Sequence, residues 1–241
     1  MLDAKTEHTV AAVTTQLRAI GGERLVSVAL YGSAAGADFV PGVSDINIVL
    51  VLDEIEHHHL ESIRTHVRRW HKQGVATPLI VDRPFLRTAI DVFPMELYDI
   101  KDQHRLLYGE DIFAALQISE RHLRYQCEHE ARGKLLRLRE LYVEVGSRPA
   151  QLQALILDSV KTFLIIMRAV NRLRGIHERV AYESVLETFS REFDCPLPVV
   201  SHLLRIKLAK DKWSGDGEAI FRDYAEELRS FVRVIDQLAP P

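Results

Sequence analysis

The segment YGSAAGADFVPGVSDINIVLVLD, residues 31–53, decides how the first half of the chain is built. Its second part, residues 46–52, is an apolar run of β-forming residues, and a similar run, LVSVALY, occupies residues 25–31. The stretch between the two runs contains glycines and a proline, which favour a loop. The segment therefore predicts two strands, joined by a loop that leaves the first strand at Gly32 and returns at Asp45.

The composition is that of a packed globular protein. The 241 residues are 47% hydrophobic and 27% charged, with 31 Lys and Arg against 34 Asp and Glu. These values argue against disorder, and the lack of a basic excess makes nucleic acid an unexpected partner. Two cysteines, Cys127 and Cys195, cannot form a disulfide framework. The start of the sequence, MLDAKTEHTV, lacks the basic and apolar regions of a signal peptide, so we expect a cytoplasmic protein. Charged residues interrupt the most apolar predicted helix, so we expect no membrane span.

Helix and strand signals alternate over the first hundred residues and become helical afterwards. In the first part we predict a helix that is capped by Asp3 and extends through Ala19, a helix over about 54–73, and a short helix between the last two strands. The predicted strands are residues 25–31, 46–52, 76–82 and 90–99. In the second part we predict helices 119–145, 150–174, 182–193, 198–209 and 218–238. Strands followed by helices indicate an α+β fold with two domains, residues 1–115 and a helical bundle over 116–241.

Two polar residues stand at the start of the second strand. Side chains on a strand alternate between faces, so Asp45 and Asn47 project from the same side. Magnesium prefers oxygen ligands and usually takes one or two carboxylates together with phosphate oxygens. Gly32 lets a phosphate approach the backbone closely, and the amides of Gly32 and Ser33 with the Ser33 hydroxyl can bind its oxygens. These residues form a candidate site for a magnesium-bound phosphate group.

A third oxygen ligand is expected from a later acidic segment. FPMELYD, residues 93–99, lies in the predicted strand 90–99, where Pro94 indicates an edge strand or a bulge. A carboxylate on a neighbouring strand would complete a two-metal site for in-line displacement. Glu96 is the first candidate for this ligand, and Asp99 and Asp91 are the alternatives.

The residues of the first segment resemble a known signature. A Gly-Ser pair, a spacer and then two alternating acids on a strand are typical of the polymerase β nucleotidyltransferase superfamily, and residues 31–53 are similar to its small bacterial members. The predicted domain order is also similar to aminoglycoside nucleotidyltransferases and to minimal nucleotidyltransferases paired with helical proteins. The resemblance implies a small mixed sheet flanked by helices, with Mg²⁺ (or Mn²⁺) and a nucleoside triphosphate such as ATP as ligands. It also implies transfer of a nucleoside monophosphate to a hydroxyl.

By this resemblance, Gly32 and Ser33 match the phosphate-binding turn, Asp45 the first metal carboxylate and Glu96 the third. Asn47 departs from the pattern, because it stands where the family has its second metal carboxylate. Two unit charges 4 Å apart interact by roughly 4 kcal/mol at an effective dielectric of about 20, so the loss of one costs on the order of 10³-fold in metal affinity or rate.

Two functions therefore remain open. The first is magnesium-dependent nucleotidyl transfer to a hydroxyl of a small molecule or protein. The second is nucleotide binding or regulation, with catalysis weakened or lost because of Asn47. The sequence does not identify the acceptor or the preferred nucleotide, nor does it decide whether the chain forms a homodimer.

Other polar residues have alternative interpretations. Lys161 interrupts the apolar run ALILDSVKTFLIIM, so it either pairs with Asp158 or contacts a nucleotide phosphate. Three consecutive histidines, residues 57–59, point in different directions on a helix and do not predict a metal site. The spacing between Arg172 and His177 is similar to the motif of a helical ribonuclease family, which gives a third possible activity.

Overall fold

A computed structural model of the chain describes residues 2–36, 39, 42, 44–146, 148–177 and 181–238. The chain divides into two compact units, Met1–Ser119 and Glu120–Pro241. The first unit combines a mixed sheet with helices, and the described residues of the second form helices without strands. The predicted α+β class is therefore confirmed. Part of the predicted loop, residues 37–38, 40–41 and 43, lies outside the described residues.

The first unit is built around a four-stranded sheet. Its elements are α1 (Ala4–Gly21), β1 (Leu25–Tyr31), β2 (Asn47–Leu52), α2 (His57–His71), β3 (Leu79–Asp82), α3 (Arg83–Ala89), α4 (Pro94–Asp102) and β4 (His104–Gly109). The strand order is β3-β2-β1-β4. Strand β1 is antiparallel to both β2 and β4, whereas β2 is parallel to β3, so the sheet is mixed.

Helices cover both faces of the sheet, and β2 contributes side chains to both. Ile48 and Leu50 belong to one hydrophobic core with residues of α1 and α2, including the fully buried Trp70. Val49 and Val51 belong to a second core with residues of α3 and α4. The near-continuous apolar run of β2 is explained by this burial on both faces. It also leaves polar side chains to the ends of the strand, where the candidate site lies.

The prediction of a strand over residues 90–99 is wrong, because Pro94–Asp102 forms α4. Pro94 is the first residue of this helix, a position where its fixed φ and missing N–H cost nothing. Leu97 and Ile100, three residues apart, are buried on one helical face. The strand that pairs with β1 comes later, at His104–Gly109.

The second unit is a set of packed helices. These are α5 (Glu120–Val145), α6 (Pro149–Arg172), α7 (Tyr182–Glu192), α8 (Pro198–Lys207) and α9 (Gly217–Gln237). Helix α6 packs against the other four and buries eleven of its residues. By length and composition alone, α6 is also apolar enough to cross a membrane. The core helix of a bundle has the same length and composition, so this feature is weak evidence for a membrane span. It nevertheless means that the charges within α6 do not exclude a span, as the sequence had indicated.

Candidate functional site

The ends of β1 and β2 bring Gly32 and Asn47 together. Tyr31 and Asn47 are paired across the two antiparallel strands, and the chain leaves β1 at Gly32 with a φ of +70°. A Cβ atom added at Gly32 would lie 3.3 Å from Nδ2 of Asn47. Glycine is favoured at this position both by its backbone conformation and by the close approach of the Asn47 side chain.

The predicted phosphate-binding turn is a short 3₁₀ helix over Gly32–Ala35. Ala34 is buried in the core beside α1, which fixes the turn against the sheet. The Gly32 N–H donates to the carbonyl of Gln103 at 3.2 Å, so the amide that we expected to bind phosphate already has a partner. Ser33 is half-buried in the first turn, where N–H groups have no partner within the helix. Ser33 is therefore the better placed phosphate ligand of the two.

Asp45 is exposed and lies immediately before β2. Its neighbour Ile46 is fixed by two backbone hydrogen bonds. The Ile46 N–H donates to the carbonyl of Gly74 at 2.8 Å, and the Ala76 N–H donates to the carbonyl of Ile46 at 3.0 Å. These bonds hold Asp45 in the wall of a groove of about 600 Å³, whose other walls include Lys5 at the start of α1. The described residues that line this groove are Asp3, Lys5, Thr6, Thr9, Phe39, Gly42, Ser44, Asp45, Ile46, Lys72, Gln73 and Gly74.

Glu96 does not lie on a strand beside Asp45. It is an exposed residue in the first turn of α4, and Asp91 lies in the turn before that helix. The C-terminus of α4 is the part that comes to the Gly32 turn, because Gln103 accepts the Gly32 N–H. Asp102, which precedes Gln103, is thus an acid near the site that sequence reasoning missed. No signal identified Asp102, because it lies beyond the predicted strand 90–99 and outside the acidic segment 93–99.

Lys161 lies in the second unit, on α6, and its side chain is exposed rather than buried. The predicted ion pair with Asp158 is not formed, because Asp158 Oδ1 lies 3.7 Å from Nζ of Lys207. The same Lys207 ammonium donates to the carbonyl of Leu157 at 2.9 Å. A contact between Lys161 and a nucleotide phosphate stays a prediction.

The remaining sequence motifs do not form sites. His59 is buried, and its Nδ1 accepts the backbone N–H of Glu56 at 3.0 Å, which caps the start of α2. His57 and His58 are exposed, as expected for successive helical positions. Arg172 is buried at the end of α6, whereas His177 is exposed beyond the helix, and the ribonuclease interpretation stays a prediction.

Comparison with known proteins shows a likeness in fold to a solved structure. No protein-family model matches the chain, and no curated protein matches it by sequence. The crystal structure of spectinomycin adenyltransferase AAD(9) from Enterococcus faecialis, with ATP and spectinomycin, matches 96% of this chain and 99% of its own, with a TM-score of 0.59 and 10% identity. The chain therefore shares the fold of this adenyltransferase over nearly the whole length of both chains. The family resemblance predicted from residues 31–53 is therefore confirmed at the level of the fold.

Nucleotidyltransferases similar to this fold are typically magnesium-dependent, but the described residues of this chain give no evidence of a metal site. Among the described residues, no group of three His, Cys, Asp or Glu side chains could hold a metal ion. Asp82, the acid on β3, is paired with Leu52 of β2. Because Leu52 is seven residues beyond Asp45 along an extended strand, Asp82 lies roughly 23 Å from Asp45, too far to share a metal ion with it.

Proposed function

We propose that this chain binds the phosphates of a nucleoside triphosphate at the Gly32 end of β1 and β2, and that it transfers nucleotidyl groups weakly or not at all. One observation carries the proposal. Asn47, which stands where the family resemblance implies a second metal carboxylate, lies beside Gly32, and no described group of three acids compensates for the missing charge. An amide oxygen can ligate magnesium but contributes no negative charge.

The residues at this end of the sheet support phosphate binding. The Ser33 hydroxyl and amide can donate to phosphate oxygens. The groove beside Asp45 carries the exposed Lys5 and Lys72, and its described lining residues do not include Ser33 or Asn47. Magnesium held by the single carboxylate of Asp45 and by phosphate oxygens is chemically reasonable, because this ion usually takes few protein ligands. The matching structure of AAD(9) contains ATP, which makes ATP the first nucleotide to test.

Full nucleotidyl transfer is a second candidate. It is favoured by the likeness to an adenyltransferase over nearly the whole chain, including the helical domain. In this case the acceptor would be a hydroxyl of a small molecule or of a protein. Spectinomycin, which is bound in the AAD(9) structure, is a suitable first acceptor to test.

Calorimetric titration tests nucleotide binding. ATP, GTP, CTP and UTP are titrated into the full chain with Mg²⁺, with Mn²⁺ and without metal. We expect Ser33→Ala to weaken binding about tenfold, because a hydrogen bond to a charged phosphate contributes about 1.5 kcal/mol. Ser62→Ala, on α2 away from the turn, is the matched control and should bind as the unmodified chain does. Binding of none of the four nucleotides, or equal losses in both serine variants, contradicts the proposal.

A transfer assay then separates the two candidate functions. The chain is incubated with α-labelled triphosphate, Mg²⁺ and either spectinomycin or a cell lysate. We expect Asn47→Asp to raise labelling on the order of 10²- to 10³-fold, because it restores the missing charge, and we expect a further Asp45→Asn change to abolish it. If the unmodified chain already labels an acceptor as fast as Asn47→Asp does, the second candidate replaces the first.

A further inference from the structure

A separate concave surface lies in the helical unit, between α5 and α9. It encloses about 290 Å³, and its apolar floor is formed by the buried side chains of Leu135 and Val232. Its other described lining residues are arginines, so we call it the arginine groove. The residues that line it are Arg132, Leu135, Arg139, Arg229, Val232 and Arg233.

The two helices that form the arginine groove run antiparallel. Arg132, in the middle of α5, contacts Asp236 at the end of α9, and Tyr142 near the end of α5 contacts Glu218 at the start of α9. On α5, the two groove arginines are seven residues apart, which is roughly 10.5 Å along the axis. On α9, they are four residues apart, or roughly 6 Å. Guanidinium groups therefore line the groove from both sides over about two helical turns.

No acidic side chain is among the described residues that line the arginine groove. The acids that pair with its arginines contact them from outside. Glu226 is shared by Arg229 at 2.6 Å and Arg233 at 3.4 Å, and Arg132 pairs with Glu128 and Asp236. These exposed pairs contribute little and can exchange with a ligand, because water and salt screen them.

Arg139 differs from the other three arginines. It is exposed, and in the part of the chain that the structure describes it forms no ion pair or hydrogen bond with a side chain. Its five guanidinium N–H donors are available to a ligand in the groove. Arg139 is therefore the side chain on which binding should depend most clearly.

The groove chemistry fits phosphate groups. Arginine binds phosphate oxygens through two parallel N–H donors, a geometry that lysine cannot reproduce. No aromatic side chain is among the described lining residues, so the groove offers no surface on which a base would stack. Its volume is at the lower end of the roughly 300–1,000 Å³ typical of small-molecule pockets. The separation of the two α5 arginines favours a chain of phosphates over a single one.

We propose that the arginine groove binds a short polyphosphate chain of two or three phosphate groups. Inorganic polyphosphate and the phosphate tail of a nucleotide share this chemistry, and the groove would contact only their phosphates. The proposal concerns the helical unit and is independent of nucleotide binding at the Gly32 turn.

Calorimetric titration of the full chain at low salt tests this proposal. Sodium tripolyphosphate, pyrophosphate, orthophosphate, ATP and adenosine are compared in the Ser33→Ala variant, in which the proposed nucleotide site is weakened. We expect tripolyphosphate and ATP to bind with similar Kd values, orthophosphate to bind more weakly, and adenosine not to bind. Adding Arg139→Gln and Arg233→Gln should weaken tripolyphosphate binding about tenfold or more, because two charge-assisted contacts are removed.

The matched control is Arg137→Gln, an exposed arginine of α5 that pairs with Glu140 and does not line the groove. We expect it to leave the tripolyphosphate Kd unchanged, and an unchanged Tm in each variant shows that the fold is retained. Equal weakening by Arg137→Gln indicates general charge attraction and overturns the proposal, as does absence of tripolyphosphate binding. If ATP binds much more tightly than tripolyphosphate and the groove variants abolish ATP binding, the proposal is overturned. The same holds if a single-stranded oligonucleotide binds more tightly than tripolyphosphate and the groove variants abolish that binding.

Discussion

Gly32 shows at the scale of one residue how the candidate site depends on backbone conformation. Its φ of +70° lies in the left-handed region, which disfavours residues that carry a Cβ atom. Its N–H is bonded to Gln103, and its missing side chain leaves room for the amide of Asn47. The glycine of the phosphate turn thus serves the packing of the strand ends, in addition to any ligand.

Gly32→Ala should lower the free energy of unfolding by about 1–2 kcal/mol through backbone strain, with an additional cost from the contact with Asn47. Gly74→Ala is the matched control, because Gly74 has a φ of +78° but no atom within 4 Å of the added Cβ. Urea unfolding of the two variants measures the difference between them. If Gly74→Ala costs as much as Gly32→Ala, the close approach of Asn47 contributes nothing.

At the scale of one element, the start of α8 depends on a side chain from another helix. Helix α8 begins at Pro198, and its N-cap residue, Leu197, cannot accept a hydrogen bond through its side chain. Glu227 of α9 instead accepts the N–H groups of Val199 and Val200, at 2.8 and 2.9 Å. These are two of the N–H groups that a helix leaves without an internal partner.

Removal of this cap should destabilise the helical unit. Glu227→Ala leaves the two N–H groups of α8 without their carboxylate acceptor, so we expect the free energy of unfolding to fall by about 1–3 kcal/mol. Glu227→Gln keeps an oxygen acceptor and should cost less. Denaturant unfolding of both variants, followed by circular dichroism, measures the two effects. Equal losses in both variants would show that the carboxylate caps nothing.

The titration of Glu227 makes the stability of the chain depend on pH. Burial raises the pKa of Glu227 above its ordinary value, despite the opposing hydrogen bonds from Val199 and Val200. A carboxyl whose pKa is raised by folding stabilises the folded chain below its unfolded pKa, near 4.3, and this contribution is lost as pH rises through the folded value. Relative to Glu227→Gln, the unmodified chain should therefore be more stable at pH 4 than at pH 7.

The elements with clear periodicity could be predicted from the sequence, and those decided by tertiary pairing could not. Asp3 caps α1 as predicted, with its carboxylate accepting the Thr6 N–H at 2.7 Å. The segment 90–99 was misassigned because Pro94 is compatible with both an edge strand and the first turn of a helix. Strand β4 was missed because its sequence, HRLLYG, has no regular alternation and forms a strand by pairing with β1.

The candidate site likewise has features that could be predicted from the sequence and features that could not. The two strands that carry Gly32, Ser33 and Asp45 could be predicted because they lie in one short segment and pair locally, whereas the roles of these residues stay predictions. The prediction of Glu96 as a third acid on a neighbouring strand failed, because residues 94–102 form α4 and not a strand. The same limit applies to Lys161, whose apolar surroundings in the sequence suggested burial although the side chain is exposed on the helix.

At the scale of the whole molecule, each unit has the size and the interior of an independent domain. Each is roughly 120 residues long, close to the usual domain length. The first unit has hydrophobic cores on both faces of its sheet, with Trp70 fully buried in one of them. The second is centred on α6, whose buried residues contact the other four helices.

We therefore expect fragments 1–119 and 120–241 to fold separately, because each buries its own apolar face. The two tryptophans, Trp70 and Trp213, fall one in each unit, so the fluorescence of each fragment reports its own unfolding. Each fragment should unfold cooperatively in urea, with the fluorescence and circular dichroism transitions coinciding. A fragment that lacks a cooperative transition would show that its stability comes from the other unit, and mixing the two fragments would then restore the transition.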